Sequence, residues 1–252
     1  MPQPEVTHAG RMEMAEAGRA PVLADPVPAY LRLHYWWAYI HPNAVRLFER
    51  PWLVSLILWF NYRRLGDAAL AALADRNENG AMPGRTLQIA CVYGDLTERL
   101  SRRAALAGGD LDVVDVLPVQ LENLARKLPA GARVRLIVRD SRDLAFPDAC
   151  IDRVLLFFLL HEQPEDVRRG TLREAFRVVR PGGSVVVVDY ARPGVWHPAR
   201  YLWLPLLRML EPFASDLWRT GLAAWLPEPW SGRDFERTSF CGGLYQVVRI
   251  TR

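Results

Sequence analysis

Short apolar runs alternate with segments of helical period between residues 85 and 190. The amphipathic segments follow Asp95, follow Pro118 and occupy 165–179, each with apolar side chains three or four positions apart. The apolar runs lie at 87–91, 111–116, 134–138, 151–157 and 184–189. Continuous runs such as SVVVVDY are typical of strands in a parallel sheet that is covered on both faces. The pattern therefore predicts a doubly wound α/β sheet.

The regions that flank this sheet have a different character. Residues 1–25 show no sustained period and predict a flexible leader. Residues 26–80 predict short apolar helices, and the sheet domain then occupies 81–252 with a helical insertion at 197–228. Near the end, two strand-like segments joined by Gly242 and Gly243 predict an antiparallel hairpin at the sheet edge.

All nine tryptophans lie outside the central region, and several belong to the apolar helices of 26–80. The longest nearly apolar run, 52–60, has about half of the roughly 20 residues that a helix needs to cross a bilayer. Two interpretations remain open. The helices either pack on the core, or they lie at a lipid–water boundary, where tryptophan, tyrosine and flanking arginines are enriched.

The net charge of +4 comes from arginine, because Lys127 is the only lysine. The basic residues are scattered among acids, so nucleic acid is not an expected partner, and mild basicity suits an anionic membrane surface. Cys91, Cys150 and Cys241 form no CxxC pair, and no signal peptide is recognisable at the start. These features predict a cytoplasmic protein without disulfides or a thiolate zinc site.

Candidate ligand residues follow the carboxyl ends of the predicted strands, where doubly wound sheets bind ligands. The stretch LQIACVYGDLTERL, residues 87–100, passes from strand to helix at Gly94, and the backbone N–H groups of such a turn bind polar ligand groups. Val92 and Tyr93 crowd a position where small residues are usual. Asp115 ends the second strand and suits a ribose diol, because a carboxylate accepts hydrogen bonds from both hydroxyls.

The region also resembles a known family. SRDLAFPDACIDRVLLFFLLHEQPEDVRRGTLREAFRVVRPGGSVVVVDYARP is similar to the downstream half of class I S-adenosylmethionine-dependent methyltransferases, whereas the GxGxxG of dehydrogenases is missing. LQIACVYGDLT resembles the first motif of the ubiquinone/menaquinone C-methyltransferases, with Gln88 in place of an acid and Cys91, Val92 and Tyr93 in place of small residues. With YWWAYIHP, FFLLHEQPED, LEPFASDLW and FCGGLYQVV, the chain resembles the rhodoquinone-biosynthesis proteins, which convert ubiquinone to rhodoquinone.

The resemblance implies that an amino group replaces a quinone methoxy group, with S-adenosylmethionine as the amino donor and Mn²⁺ assisting. A neutral Gln88 would leave the donor nitrogen uncharged and nucleophilic, or it merely satisfies local backbone. The resemblance also implies that Asp140 and Ser141 bind adenine. The residues predicted to bind the cofactor are Gln88, Val92, Tyr93, Gly94, Asp115, Asp140 and Ser141.

Tyr93, Gln88 and His161 are the predicted catalytic residues. His161, Glu162 and Asp143 are candidate metal ligands, because imidazole and carboxylate groups suit Mn²⁺. Both His161 and Glu162 reach one ion only if the backbone turns after the fourth strand, and otherwise Glu162 belongs to a polar loop.

Three functions therefore remain open: amination of ubiquinone, methylation of a quinone or another lipid, and non-catalytic binding of a quinone or lipid. The apolar flanks suit a polyprenyl quinone, which predicts a peripheral protein at the cytoplasmic membrane. The sequence makes no prediction of the oligomeric state.

Overall fold

The computed structural model describes residues 27–36, 39, 42–74, 81–195, 201, 213–228, 230 and 235–252. The predicted leader, residues 1–25, lies outside the described residues, as do 75–80 and most of the predicted helical insertion before residue 213.

Seven strands form one sheet in the order β3-β2-β1-β4-β5-β7-β6. The strands are β1 (Arg85–Ile89), β2 (Asp110–Asp115), β3 (Val134–Val138), β4 (Ile151–Phe157), β5 (Val179–Tyr190), β6 (Glu236–Phe240) and β7 (Tyr245–Thr251). The first five strands pair in parallel, whereas β7 pairs antiparallel with both β5 and β6. The predicted fold class, a mostly parallel sheet with an antiparallel C-terminal strand, is confirmed.

Helices cover both faces of the sheet because successive strand residues point to opposite sides. Leu155 and Phe157 of β4 join one core cluster, and Val154 and Leu156 join the other. The helices are α1 (Ala29–His34), α2 (Pro42–Phe48), α3 (Pro51–Ile57), α4 (Tyr62–Leu73), α5 (Leu96–Leu106), α6 (Pro118–Ala125), α7 (Glu165–Val178) and α8 (Ala214–Thr220). Helices α4, α5 and α6 belong to the first cluster and α7 to the second, whereas α8 contributes Ala214 and Trp218 to the first and Leu217 to the second.

The strand order creates a cleft at the carboxyl ends of β1 and β4. The chain leaves β1 toward β2 on one side and returns to β4 on the other side, so the connections diverge there. Helices α1, α2 and α3 lie near this edge. None of the helices within the described residues is both long and apolar enough to cross a membrane.

Candidate functional site

A cavity of about 520 Å³ lies at the carboxyl ends of the central strands. Its floor includes Ile89 to Tyr93 after β1, Val114 to Leu117 at the end of β2, and Phe157 to Leu159 after β4. The other side is formed by the N-terminal helices. Four rings form what we call the aromatic roof, namely Tyr30, Tyr35, Tyr39 and Phe48. Apolar walls with a few polar groups are typical of a site for a small molecule.

Asp115 is fixed by the turn that follows β1. Its Oδ2 accepts a hydrogen bond of 2.7 Å from the Cys91 N–H, and its Oδ1 accepts one of 2.8 Å from the Leu117 N–H. Burial raises the pKa of Asp115, although these backbone hydrogen bonds oppose the rise. An ionised carboxylate has about four acceptor positions, so these two hydrogen bonds leave acceptor capacity for a ligand hydroxyl group. The geometry fits the predicted contact with a ribose diol.

Tyr93 joins the turn after β1 to the aromatic roof. Its ring stacks on Tyr39, with centroids 5.8 Å apart, and on Phe48, with centroids 5.9 Å apart. Its hydroxyl oxygen accepts a hydrogen bond of 2.9 Å from the Gln120 amide. Burial raises the pKa of Tyr93, so its hydroxyl stays protonated at neutral pH. Together with Val92, the ring lines the cavity.

Gly94 follows Tyr93, and both of its backbone polar groups bond to a cluster of ionic side chains. Its N–H donates to Glu49 Oε1 at 2.9 Å, and its carbonyl oxygen accepts from Lys127 Nζ at 2.9 Å. Glu49 and Lys127 form an ion pair of 2.5 Å, and Asn123 Nδ2 donates to the second oxygen of Glu49 at 2.5 Å. The Gly94 N–H, which the sequence pattern assigned to a ligand, is therefore hydrogen-bonded to a carboxylate of the protein itself.

Gln88 is completely buried and is absent from the cavity lining. Its Nε2 donates to the Ala90 carbonyl at 2.9 Å, and its Oε1 accepts from Thr97 Oγ1 at 3.1 Å. One end of the amide thus bonds to the turn after β1 and the other to the first turn of α5. This geometry matches the interpretation in which Gln88 satisfies local backbone.

Asp140 and Ser141 line the cavity after β3. Burial alone would raise the pKa of Asp140, but hydrogen bonds from the Arg142 guanidinium and backbone N–H bring it below its usual value. Ser141 Oγ lies 2.6 Å from Thr171 Oγ1 and accepts from Gln163 Nε2 at 3.2 Å. The buried Oε1 of Gln163, which also lines the cavity, has no hydrogen-bond partner among the described residues. These acceptors fit a ligand with N–H donors, such as the adenine amino group.

His161 lies in a 3₁₀ turn, Leu160–Glu162, directly after β4. Its Nδ1 is 2.9 Å from Oδ1 of Asp189, which ends β5 and is buried. Asp189 also accepts hydrogen bonds from the backbone N–H groups of Leu160 and Tyr190, at 2.9 and 2.7 Å. A carboxylate can only accept, so Nδ1 carries the proton, and Nε2 is the acceptor of the neutral ring. An Asp–His pair therefore borders the cavity.

The donor set for the predicted manganese ion is incomplete. Glu162 Oε1 lies 3.8 Å from His161 Nε2 and accepts a hydrogen bond from the Tyr39 hydroxyl. Asp143 is exposed and lies outside the cavity lining. Among the residues that the structure describes, no three His, Cys, Asp or Glu side chains are arranged to hold a metal ion. The manganese prediction is therefore not supported.

The sequence did not identify four groups that the structure brings to this site, namely Asp189, Glu49, the aromatic roof and Gln163. Asp189 was visible at the end of a predicted strand, but nothing indicated that it would meet His161. Glu49 and the aromatic roof reach the site only through tertiary packing. Gln163 follows the predicted pair of His161 and Glu162 directly, and this adjacency was the one available signal.

Residues 86–183 match the family model described as a methyltransferase domain. Among solved structures, the chain is similar to the mitomycin 7-O-methyltransferase MmcR, with a TM-score of 0.55, 24% identity and coverage of 84% of this chain and 58% of that chain. It is also similar to an O-methyltransferase family protein from Burkholderia thailandensis, with a TM-score of 0.52, 18% identity and coverage of 84% and 58%. These similarities show the fold of a methyltransferase domain, and the family match covers residues 86–183 of this chain.

The relatives found by sequence are methyltransferases whose names refer to quinones. The chain is 28% identical to a demethylmenaquinone methyltransferase from Bacillus licheniformis over 65% of this chain and 69% of that protein. It is 30% identical to the ubiquinone/menaquinone biosynthesis C-methyltransferase UbiE of Ectopseudomonas mendocina over 56% and 58% of the two chains. It is 34% identical to a demethylmenaquinone methyltransferase of Thermus thermophilus over 44% of this chain and 49% of that protein. The chain thus spans about half to two thirds of these relatives. They support a quinone-related methyltransferase and do not support the finer prediction of a rhodoquinone-biosynthesis protein.

Proposed function

We propose that the protein transfers a methyl group from S-adenosylmethionine to the ring of a polyprenyl quinone in its reduced, quinol form. The observation that carries this proposal is the cavity lined by Asp115, Asp140 and His161, with Nδ1 of His161 lying 2.9 Å from Oδ1 of Asp189. The quinone-specific names of the relatives support the substrate class. A polyprenyl tail also supports a peripheral position at the cytoplasmic face of a membrane.

The cofactor supplies an electrophilic methyl group when it is bound. Asp115 would accept hydrogen bonds from the ribose, while Asp140 and Ser141 would contact adenine. His161 Nε2 would accept the proton of a quinol hydroxyl, and the electron pair of that O–H bond would move into the ring. The ring carbon made nucleophilic in this way would receive the methyl group, its C–H proton would be lost to water, and the proton held by His161 would return to the quinol oxygen. Asp189 stabilises the imidazolium that His161 becomes.

The test measures product mass after the protein is incubated with S-adenosylmethionine and a demethylated quinol. Gain of one methyl group is the expected result. The His161→Gln variant should lower kcat by about 10²–10⁴, the usual contribution of a general base, with little change in the binding of S-adenosylmethionine. Asp143→Asn is the matched control, because Asp143 is exposed outside the cavity. Unchanged kcat in the His161→Gln variant would contradict the assigned role.

Amination of ubiquinone to rhodoquinone, with S-adenosylmethionine as the amino donor, is the second candidate. It is favoured by the bulky Val92 and Tyr93, which line the cavity where the resemblance implies small residues, whereas Gln88 does not reach the cavity. Incubation with ubiquinone, S-adenosylmethionine and Mn²⁺ tests it in parallel. Loss of a methoxy group with gain of an amino group would favour this candidate. Absence of product in both incubations would leave the non-catalytic binding of a quinone.

A further inference from the structure

Exposed large apolar side chains are concentrated in the N-terminal helices. Of the twelve that the described residues contain, eight lie between residues 33 and 60. Trp52, Leu56 and Trp59 are spaced four and three positions apart, so they share one face of α3 and the turn after it. Phe60 is the most exposed member of the N-terminal group, at 76%. We call Trp52, Leu56, Trp59 and Phe60 the α3 surface.

The turn after α3 holds two aromatic residues in an unusual backbone conformation. Trp59 and Phe60 have φ angles of 50° and 61°, in the left-handed region that bulky residues rarely adopt. The Phe60 N–H donates to the Ser55 carbonyl at 2.6 Å, and Asn61 Nδ2 donates to the Trp59 carbonyl at 2.8 Å. These hydrogen bonds hold the turn that presents both rings to solvent. Such an arrangement at an exposed turn indicates a contact with another surface.

The charge of the molecule is concentrated in the same region. Residues 27–66 contain five arginines and one glutamate, a net charge of +4, equal to that of the whole chain. The glutamate, Glu49, is already paired with Lys127. Arg46, Arg50 and Arg63 are exposed, and within the part of the chain that the structure describes they form no ion pair. Exposed tryptophan and phenylalanine beside unpaired arginines match an anionic lipid headgroup region.

The cavity opens toward this region. Leu47 of α2 and Ile57 of α3 line the cavity, and both are also exposed to solvent at 45% and 36%. They therefore form part of the rim, and Leu53 continues the apolar wall inward. The α3 surface lies on the same helix as this rim, so an apolar chain could pass from it into the cavity without crossing a polar boundary.

We propose that the α3 surface docks on an anionic lipid bilayer and that the prenyl tail of the substrate enters the cavity between α2 and α3 directly from the lipid. The docking on the bilayer is argued from the α3 surface alone, whereas the entry of a prenyl tail into the cavity rests on the proposed quinone substrate. The bilayer is preferred to a protein partner because exposed arginines neighbour the α3 surface in sequence, and the one glutamate of residues 27–66, Glu49, is paired with Lys127.

Sedimentation with vesicles of phosphatidylcholine, with and without phosphatidylglycerol, tests the docking. The wild-type chain should bind the anionic vesicles, and added salt should weaken the binding. The Trp59→Ser/Phe60→Ser variant, which we call the tip variant, should bind at least tenfold more weakly. Leu106→Ser is the matched control, because Leu106 is 89% exposed on α5, away from the α3 surface. Since the tip variant changes a constrained turn, Arg50→Gln/Arg63→Gln serves as a second variant, with about a fivefold loss expected per arginine.

Two results would overturn the docking. The first is equal vesicle binding by the wild-type chain and both variants. The second is a wild-type dimer in sedimentation without vesicles that becomes a monomer in the tip variant, which would make the α3 surface a contact between two copies. Vesicle binding needs no turnover, so it is independent of the proposed function. For the entrance, the tip variant should lose turnover of a polyprenyl quinol in vesicles and keep turnover of a short-tailed soluble quinol. Equal loss with both substrates would refute the lipid entrance.

Discussion

Replacing Glu49 by glutamine should destabilise the protein by about 2 kcal/mol and loosen the N-terminal helices from the turn after β1. The carboxylate accepts three hydrogen bonds, from the Gly94 N–H, from Lys127 and from Asn123. Gly94 and Lys127 both bond to Oε1, so an amide that keeps its oxygen there turns its NH₂ group toward the Asn123 amide and loses that hydrogen bond. It also removes the negative charge that balances the Lys127 ammonium.

The magnitude follows from burial and charge. A hydrogen bond to a charged group contributes about 1.5–3 kcal/mol, and a fully buried ion pair that loses one partner costs about 3–5 kcal/mol. The side chains of Glu49 and Lys127 are 19% and 17% exposed, so water screens part of this interaction. We therefore take the lower part of the range. In a chain of this size, about 2 kcal/mol corresponds to a fall in Tm of about 4–8 °C.

Thermal unfolding of the Glu49→Gln variant measures the loss. The matched control is Glu98→Gln, because Glu98 pairs with Arg102 at 3.4 Å on the exposed face of α5, and such a pair contributes about 0.5 kcal/mol or less. A double-mutant cycle with Lys127→Met should give a coupling energy of at least about 1 kcal/mol. If the Glu49 and Glu98 variants lose equal stability, or if the two changes in the cycle are additive, the ionic cluster does not anchor these helices.

Two further predictions concern the turn after β1 and the end of β3. Gly94→Ala should cost more than about 2 kcal/mol, because φ is +87° and the added Cβ would lie 2.5 Å from the Tyr62 hydroxyl oxygen. Gly108→Ala, at φ +72° in open space, should cost only about 1 kcal/mol in the same urea titration. Asp140→Asn should be less stable than wild type at neutral pH. The pKa of Asp140 is lowered in the folded protein, so its contribution is present above 3.8, and the two unfolding curves should converge as the pH falls below that value. A gap that persists in acid would contradict this.

The sheet could be predicted from the sequence because each strand is marked by the pattern of its own few residues. Each parallel strand is a short apolar run bounded by polar or glycine residues, and its hydrophobicity reflects burial on both faces. The positions of Asp115 and Asp140 follow from the same pattern, since the residue after a buried strand lies at the carboxyl edge of the sheet. Those two placements needed no knowledge of how distant segments pack.

The other side of the cavity depends on contacts between distant parts of the chain. Tyr39 and Glu162, which share a hydrogen bond, are 123 positions apart, and Glu49 and Gly94 are 45 positions apart. Periodicity can show that residues 26–80 form apolar helices, but it carries no information about which sheet edge they cover. For the same reason, the Asp189–His161 pair could not be predicted, although Asp189 lies near the end of β5 and His161 follows the adjacent strand β4.

The crowded turn after β1 is explained by these distant contacts. Small residues at the positions of Val92 and Tyr93 would leave room for a ligand to touch the backbone, but they would also remove the ring that stacks between Tyr39 and Phe48. The same turn gives its Gly94 amide to Glu49, from the segment that carries those two rings. The bulky side chains and the occupied amide therefore act together, because both attach the N-terminal helices to the turn. The bulky Val92 and Tyr93 therefore form cavity wall as well as attachment, since both line the cavity and Tyr93 stacks on two rings of the N-terminal segment.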